Sequence, residues 1–317
     1  MGELINGNDP VSAEVIAQYR RARFRAMLRN LIARLTGRPN RLLAFDEVKE
    51  KLNLRGSVYR GIQRVPLDHI IGSVNRYQDF DRAFLPIRRH MADRWIAVGT
   101  VLFQEANLPP VRLYKVGDAY FVLDGHHRVS VARALGWEEI EAEVIEVQSR
   151  VPVGPDLQAE DLEILHEYEE FLERTHLDRL RPEADIRFTI AGGYQRLLEH
   201  IAVHRYFMGL ELGREITEDE AVVHWYDAVY QPVVEIIREH GLLEDFPGRT
   251  EADLYLWIMD HLYYLREAYG PEVDPETAAL DYAEQFAEHP IRRLVNELRR
   301  ALEGMSAFPP MEVEPKA

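Results

Sequence analysis

The chain has 317 residues, a net charge of −16 and no cysteine, so disulfides, thiolate metal sites and thiol catalysis are excluded. No apolar run approaches the ~18 residues that a membrane-spanning helix needs, and residues 1–30 lack the features of a signal peptide, which predicts a cytoplasmic protein without a membrane span. The length exceeds that of one ordinary domain and indicates two or three core-forming units.

The charge is distributed unevenly along the chain. Residues 1–150 carry 23 basic and 18 acidic side chains, whereas residues 151–317 carry 15 basic and 36 acidic ones. A strongly acidic surface repels the phosphates of nucleic acids. Any contact with nucleic acid is therefore expected only through the basic N-terminal half.

Residues 1–55 form a basic helical segment in this interpretation. Apolar residues recur at helical spacing between Val15 and Leu35, and arginines occupy most of the remaining positions. The apolar positions are Ile16, Tyr19, Met27, Leu28, Leu31, Ile32 and Leu35. Two interpretations remain open, because such a helix suits either docking on the acidic half or binding to nucleic acid or another anionic surface. A second short helix is predicted from Phe45 to Leu54.

Residues 56–150 are predicted to form an α+β domain. Two short alternating runs flank a Gly117-Asp118 turn, which is the pattern of a β-hairpin. The predicted elements are a strand at Tyr59–Val65, a helix around Ile87–Phe103, hairpin strands at Val111–Val116 and Ala119–Leu123, a helix at Val129–Leu135 and a strand at Ile140–Val147.

A charged turn joins the second hairpin strand to the following helix. It reads Asp124-Gly125-His126-His127-Arg128. At a strand-to-helix junction, backbone N–H groups and cationic side chains point toward one place, which suits a phosphate. An Asp-Gly pair at a strand end is also an ordinary turn signal. The turn taken alone fits an anion site and a plain polar turn equally well.

The order of motifs over residues 57–148 carries more information than the turn alone. The motifs are Val65-Pro66-Leu67-Asp68-His69-Ile70-Ile71, the turn Asn75-Arg76-Tyr77-Gln78, the hairpin opened by Pro109-Pro110-Val111, the charged turn, and a helix that ends in Ala134-Leu135-Gly136. Together they resemble the ParB/sulfiredoxin-like domain. The expected fold class is therefore α+β, with a ParB/sulfiredoxin-like domain followed by a mostly α-helical one.

This resemblance implies a nucleotide site at the charged turn. The expected ligand is ATP, ADP or CTP with Mg²⁺, the metal being held partly by Asp124. The residues expected to bind the nucleotide are Arg76, Gln78, Asp124, Gly125, His126, His127 and Arg128. The expected catalytic acids and bases are Asp68, Asp124 and His126. A structural alternative for Asp68 is that it caps a turn at Ile70-Ile71.

Several functions are compatible with the resemblance. The first is Mg²⁺-dependent phosphoryl transfer or nucleotide hydrolysis by a phosphotransferase or NTPase. The alternative is a non-catalytic nucleotide sensor whose helical half binds a protein or small molecule, and the third is a ParB-like nuclease or DNA-binding protein. Sulfiredoxin chemistry is excluded, because histidine replaces the required cysteine. The DNA-partition function is weakened, because no helix-turn-helix pattern follows residue 150.

Residues 151–306 are predicted to form an acidic helical domain after a linker at Pro152–Pro155, and residues 307–317 a disordered tail. Capping patterns begin at Thr217 and Thr250. The predicted helices are Leu157–Arg174, Gln195–Leu212, Thr217–Gly241, Arg249–Tyr269 and Pro275–Leu302, with a short strand at Asp185–Ile190.

Histidines and aromatic residues mark the predicted helical domain. His200 and His204 lie one turn apart on one helix face, which fits either a metal site or ordinary hydrogen-bonded histidines. No His-Glu-x-x-His pattern accompanies them. The recurrent tyrosines and tryptophans are interpreted as core.

Overall fold

The computed structural model describes residues 10–37, 39–104 and 108–286. The chain divides into two compact units, residues 1–169 and 170–317. The predicted boundary after residue 150 lies earlier, because residues 151–157 attach to the first unit. The Asp118 N–H donates to the Val153 carbonyl over 2.8 Å, and the Arg82 guanidinium donates to the Pro155 and Leu157 carbonyls. The predicted tail, residues 307–317, lies outside the described residues.

A six-stranded mixed sheet forms the centre of the first unit. Its strands are β1 (Leu43–Ala44), β2 (Arg55–Pro66), β3 (Ile70–Ser73), β4 (Val111–Val116), β5 (Ala119–Asp124) and β6 (Glu139–Gln148). The spatial order is β1-β3-β5-β4-β6-β2. β3 lies parallel to β5, whereas β4 and β5 form the antiparallel hairpin that the sequence predicts.

The segment at Ile70-Ile71 is a strand rather than the turn considered for Asp68 to cap. All four residues of β3 are buried, and β3 lies between β1 and β5. The apolar pair is therefore explained by a strand that is covered on both faces, which reads as a continuous apolar run.

The α-helices that lie wholly within the described part of the first unit are α1 (Pro10–Thr36), α2 (Phe45–Lys51), α3 (Ala92–Phe103) and α4 (His126–Ala134). α1 contributes Val15, Tyr19 and two alanines to a cluster with Trp95 and Val131. The small alanine side chains let the helix axes approach closely.

The predicted apolar face of α1 is only partly the buried one. Tyr19 is buried as expected, but Met27, Leu28, Leu31, Ile32 and Leu35 are exposed. The sequence pattern gave weight to large apolar residues, whereas small residues form most of the contact surface.

The second unit is helical within the described residues. Its helices are α5 (Asp161–Thr175, shared with the first unit), α6 (Leu177–Leu180), α7 (Gly193–Leu212), α8 (Glu218–Trp225), α9 (Gln231–Glu239), α10 (Glu251–Tyr269) and α11 (Pro275–Phe286). A π-helical turn at Tyr226–Tyr230 joins α8 to α9. The part of the helix predicted after Phe286 lies outside the described residues.

Two helix starts confirm the capping patterns. The Thr217 side chain accepts a hydrogen bond from the Glu220 N–H, and Thr250 and Asp253 form a reciprocal capping box. The strand predicted at Asp185–Ile190 is wrong. Its Thr189 donates instead to the buried Asp253 carboxylate, through N–H over 3.1 Å and through the hydroxyl over 2.7 Å.

No helix among the described residues is long and apolar enough to cross a membrane.

A buried hydrogen bond ties α3 to α4. The Trp95 indole N–H donates to the Ser130 hydroxyl over 2.9 Å, and both residues are fully buried. We expect Ser130→Ala to lower the free energy of unfolding by about 1–3 kcal/mol, because the indole N–H is left without a partner. Urea denaturation measures this change. If this hydrogen bond stabilises the fold, the double variant Ser130→Ala, Trp95→Phe loses less free energy of unfolding than the two single variants together. Losses that simply add contradict a stabilising bond between the two side chains.

Candidate functional site

Gly125 turns the end of β5 into the start of α4. It is the residue before the helix and has a φ of +96°, a conformation that residues with a side chain rarely adopt. A Cβ atom there would lie 2.6 Å from Val111 Cγ1 and 3.0 Å from the Arg128 guanidinium. Both the backbone angle and the available space therefore require glycine.

The first turn of α4 is formed by His126, His127 and Arg128. Its N–H groups precede the first hydrogen bond within the helix, in which the Val129 N–H donates to the Gly125 carbonyl over 3.0 Å. No side chain caps this end of the helix. The positive end of the helix dipole therefore lies beside N–H groups that can donate hydrogen bonds to an anion.

His126 is held in a buried position against the sheet. It is 7% exposed, its Nε2 shares a hydrogen bond of 2.8 Å with the Ser73 hydroxyl, and its ring stacks on Phe80. Burial, together with the positive charge of Arg76, lowers the pKa of His126 from 6.5 to about 4. The imidazole is therefore neutral at pH 7.

His127 carries a buried polar atom without a partner. The Arg76 guanidinium lies 3.2 Å from His127 Nε2. Because arginine only donates, Nε2 accepts and the proton of the neutral ring is on Nδ1. His127 is 6% exposed, and no group in the described part of the chain accepts from Nδ1.

Two arginines make the surroundings of His127 positive. Burial and the charges of Arg76 and Arg94 lower the pKa of His127 to about 4. Arg94 lies in the first turn of α3, is exposed, and makes no ion pair with a described residue. Arg76 is half exposed and lies 3.4 Å from the Asp79 carboxylate. The carboxylate of Asp79 offsets part of this positive charge.

The Arg128 guanidinium makes its hydrogen bonds to other groups of the protein. Its guanidinium donates to the carbonyls of Pro109 and Pro110 and lies 2.7 Å from the Asp124 carboxylate. These bonds attach the start of α4 to the segment that enters β4. The predicted role of Arg128 as a phosphate ligand stays a prediction.

The structure does not bring Asp68 to the charged turn. Asp68 precedes β3, beside Arg133 near the C-terminal end of α4, where Arg133 donates to the Leu67 and Ile70 carbonyls. His126 begins the same helix, and seven residues of helix separate the two ends by about 10 Å. The predicted catalytic set of Asp68, Asp124 and His126 is therefore not assembled.

Gln78 lines a cavity of about 550 Å³. The cavity is also lined by Tyr77 and by Arg34, Arg41 and Arg88. Phe80, which contacts both imidazole rings of the charged turn, lines the same cavity. Its predicted nucleotide contact stays a prediction.

The residues at the turn do not form a magnesium site by themselves. The described residues contain no group of three or more His, Asp or Glu side chains able to hold a metal ion, and the Asp124 carboxylate is paired with Arg128. The predicted contact of Asp124 with Mg²⁺ stays a prediction. In the second unit, His200 lies 3.3 Å from the Tyr255 hydroxyl, and His204 shares a hydrogen bond with His224. Neither partner is one of the neighbouring acids that the alternative to a metal site expects, and the metal interpretation of His200 and His204 stays a prediction.

Sequence reasoning missed three residues of this site. Ser73 holds His126 and also accepts from the Arg76 N–H over 3.0 Å. Phe80 contacts both imidazole rings, and Arg94 adds a charge from another helix. The sequence pattern that could have indicated Ser73 is its position at the end of β3, just before the polar turn. No sequence pattern indicates Arg94, because α3 is distant in sequence from the turn.

Comparisons with known proteins give limited information. A family model described as a domain of unknown function (DUF4032) matches residues 191–287, and no curated protein matches the chain. A C2221 crystal form of a Pnob8-like ParB N-domain is 13% identical with a TM-score of 0.19, and the match covers 79% of this chain and 98% of that one. A pNOB8-like ParB N-domain is 12% identical with a TM-score of 0.20, covering 79% and 92%. TM-scores this low do not demonstrate a common fold. The ParB-like interpretation therefore rests on the sequence motifs.

The conformation of Gly125 leads to a stability prediction. We expect Gly125→Ala to lower the free energy of unfolding by about 3 kcal/mol, because the Cβ adds a steric clash to the cost of the left-handed backbone. Gly136→Ala is the matched control, since Gly136 has a φ of +78° but open space around it. It is expected to cost about 1 kcal/mol. Equal losses in urea denaturation contradict the close contact with Val111.

The buried imidazoles lead to a pH prediction. A histidine with a lower pKa in the folded state stabilises the fold while it is neutral. Its contribution is complete above pH 6.5 and is lost as the pH falls toward 4. The loss is up to about 3 kcal/mol per histidine. Urea denaturation between pH 7 and 4 measures the free energy of unfolding at each pH. We expect this free energy to depend less on pH in the double variant His126→Gln, His127→Gln than in the unsubstituted protein. Parallel curves for the two proteins contradict the prediction.

Proposed function

We propose that the first unit binds the phosphate groups of a nucleotide at the N-terminus of α4. The observation that supports this most directly is the uncapped first turn of α4, whose N–H donors lie beside the positive charges of Arg76 and Arg94. An anion at this place accepts from the N–H groups and is attracted by both guanidinium groups. The resemblance of the motif order to ParB/sulfiredoxin-like domains supports a nucleotide as the source of the phosphate.

The lowered pKa values of the two histidines support the same proposal. Burial is the largest cause of both shifts and the charge of Arg76 adds to it, so a positive charge on either imidazole is disfavoured. A bound phosphate reverses the sign of the local charge and therefore raises the pKa of both imidazoles. Ligand binding and histidine protonation are thus expected to favour each other.

The geometry favours binding over phosphoryl transfer. A phosphotransferase needs a group that accepts or positions a proton of the attacking hydroxyl. Of the carboxylates at the turn, Asp79 is paired with Arg76 and Asp124 with Arg128, while Asp68 lies at the other end of α4. We therefore propose a nucleotide-responsive binding unit rather than a phosphotransferase or NTPase.

Calorimetry with the full chain tests this proposal. We expect ATP or CTP to bind, and adenosine and cytidine, which lack phosphates, not to bind. Arg76→Gln and Arg94→Gln should each weaken binding about tenfold, because each removes one charged contact to phosphate. Arg60→Gln is the control. Arg60 lies on the edge strand β2 and pairs with Glu146 of β6, so this substitution should leave the affinity unchanged.

Four results would contradict the proposal. Equal affinity for nucleosides and nucleotides would mean that the phosphate groups do not contribute to binding. Unchanged affinity in both arginine variants would mean that the ligand does not bind at the α4 N-terminus. Release of inorganic phosphate from ATP or CTP that is lost in Arg76→Gln favours an enzyme instead of a sensor. Binding of duplex DNA, with a cleaved product, favours the nuclease alternative.

A further inference from the structure

Helix α1 has a second apolar face opposite the one that the fold buries. Its buried positions include Val15, Tyr19, Ala22 and Ala26, which follow one another at intervals of three or four residues. Phe24 lies two residues from both Ala22 and Ala26, which is about 200° around the helix axis. A stripe of side chains that starts at Phe24 therefore points away from the cluster that α1 forms with α3 and α4.

This outer stripe consists of large apolar side chains in contact with water. Each of them is between 48% and 79% exposed. They are Phe24, Met27, Leu28, Leu31, Ile32 and Leu35. Single exposed apolar residues are normal, but a contiguous patch of them marks a surface that binds a partner or a membrane. Because the core of the first unit uses the other face of α1, the outer stripe is available for such a contact.

The same helix carries positive charge without negative charge. Residues 15–36 contain six arginines and no acidic residue. Arg20, Arg25 and Arg34 are exposed, and none of the three makes an ion pair with a described residue. Arg25 and Arg34 are nine residues apart, which is about 180° around the axis. These two arginines therefore lie on opposite flanks of the outer stripe.

The positive surface extends beyond α1 on the flank of Arg34. Arg34 lines the cavity of about 550 Å³ together with Arg41 and Arg88, and none of the described residues that line it is acidic. Arg41 and Arg88 are also exposed and make no ion pair with a described residue. Three unpaired guanidinium groups thus border the apolar stripe on this side, and they attract an anionic surface.

The flank of Arg25 carries charges of both signs and an exposed tryptophan. Arg25 and Leu28 line a cavity of about 880 Å³ with Glu138, Glu139 and Trp137, whose side chain is 44% exposed. Tryptophan is enriched where a bilayer meets water, because its ring is apolar and its N–H donates a hydrogen bond. The apolar surface therefore continues from α1 to Trp137, while the positive charge is concentrated on the side of Arg34.

We propose that the outer face of α1 binds the surface of an anionic lipid bilayer. The apolar stripe enters the bilayer by about 5–10 Å, and the arginines on its flanks contact lipid phosphates. An anionic bilayer has apolar chains beneath a negative headgroup layer, so it matches both the stripe and its flanks. Nucleic acid matches the charge alone, because it has no apolar surface to cover the stripe. This face is distinct from the α4 N-terminus, so the proposal does not depend on nucleotide binding.

Sedimentation with lipid vesicles tests this proposal on the full chain. The vesicles contain either equal parts of phosphatidylglycerol and phosphatidylcholine or phosphatidylcholine alone. We expect at least tenfold tighter binding to the anionic vesicles, because each arginine near such a surface contributes about a fivefold factor in affinity. A higher salt concentration should weaken the binding. No binding to anionic vesicles, or equal binding to both kinds, overturns the proposal.

Substitutions in the apolar stripe test whether it enters the bilayer. The double variant Leu31→Gln, Leu35→Gln should weaken binding to anionic vesicles at least tenfold, because two apolar side chains no longer enter the bilayer. Glutamine is about as favourable in a helix as leucine, and circular dichroism confirms that the variant is folded. Ile62→Gln is the matched control, since Ile62 is 61% exposed on β2, outside the stripe. Equal effects of the two substitutions show that the stripe is not the contact surface.

Substitutions of arginine test the charged flank independently. The double variant Arg34→Gln, Arg41→Gln should weaken binding to anionic vesicles about tenfold or more, because two contacts to lipid phosphate are lost. Arg179→Gln, at an exposed arginine of α6 in the second unit, is the control and should have no effect. Unchanged binding in the double variant contradicts the proposed orientation of α1 on the bilayer.

Other occupants of the stripe give different results in the same samples. Light scattering that shows a dimer, converted to a monomer by Leu31→Gln, Leu35→Gln, assigns the stripe to a second copy of the chain and overturns the proposal. Single-stranded DNA that binds while vesicles do not assigns the arginines to nucleic acid. A monomer that binds neither vesicles nor DNA leaves an acidic protein as the occupant, which also overturns the proposal.

Discussion

The backbone conformation of Gly125 is the constraint on which the N-terminal site depends. With a φ of +96°, the chain leaves β5 and starts α4 without a side-chain cap. The same conformation leaves space for the Arg128 guanidinium, which ties the helix start to the Pro109 and Pro110 carbonyls. A side chain at position 125 would disturb the turn, the tether and the first N–H groups of α4 together.

Burial and charge then determine the chemistry of the two histidines. His126 and His127 lie between the sheet, Phe80 and Arg76, so both rings lose contact with water and face a positive charge. Each imidazole is held neutral by its surroundings. A neutral pair next to unsatisfied donors is suited to respond to an anion, because the arrival of negative charge changes both the hydrogen bonding and the protonation of the site.

The sequence by itself determined the local elements: the β4–β5 hairpin, the capped starts of α8 and α10, and the charged turn at a strand-to-helix junction. These depend on neighbouring residues, whose turn and capping preferences act over a few positions. Only the tertiary structure showed that Ser73 and Phe80 contact the histidines of the turn, that Asp68 lies at the opposite end of α4, and that small residues occupy most of the buried positions of α1. Such contacts join residues far apart in the chain, and they depend on how helices pack on the sheet rather than on local preference.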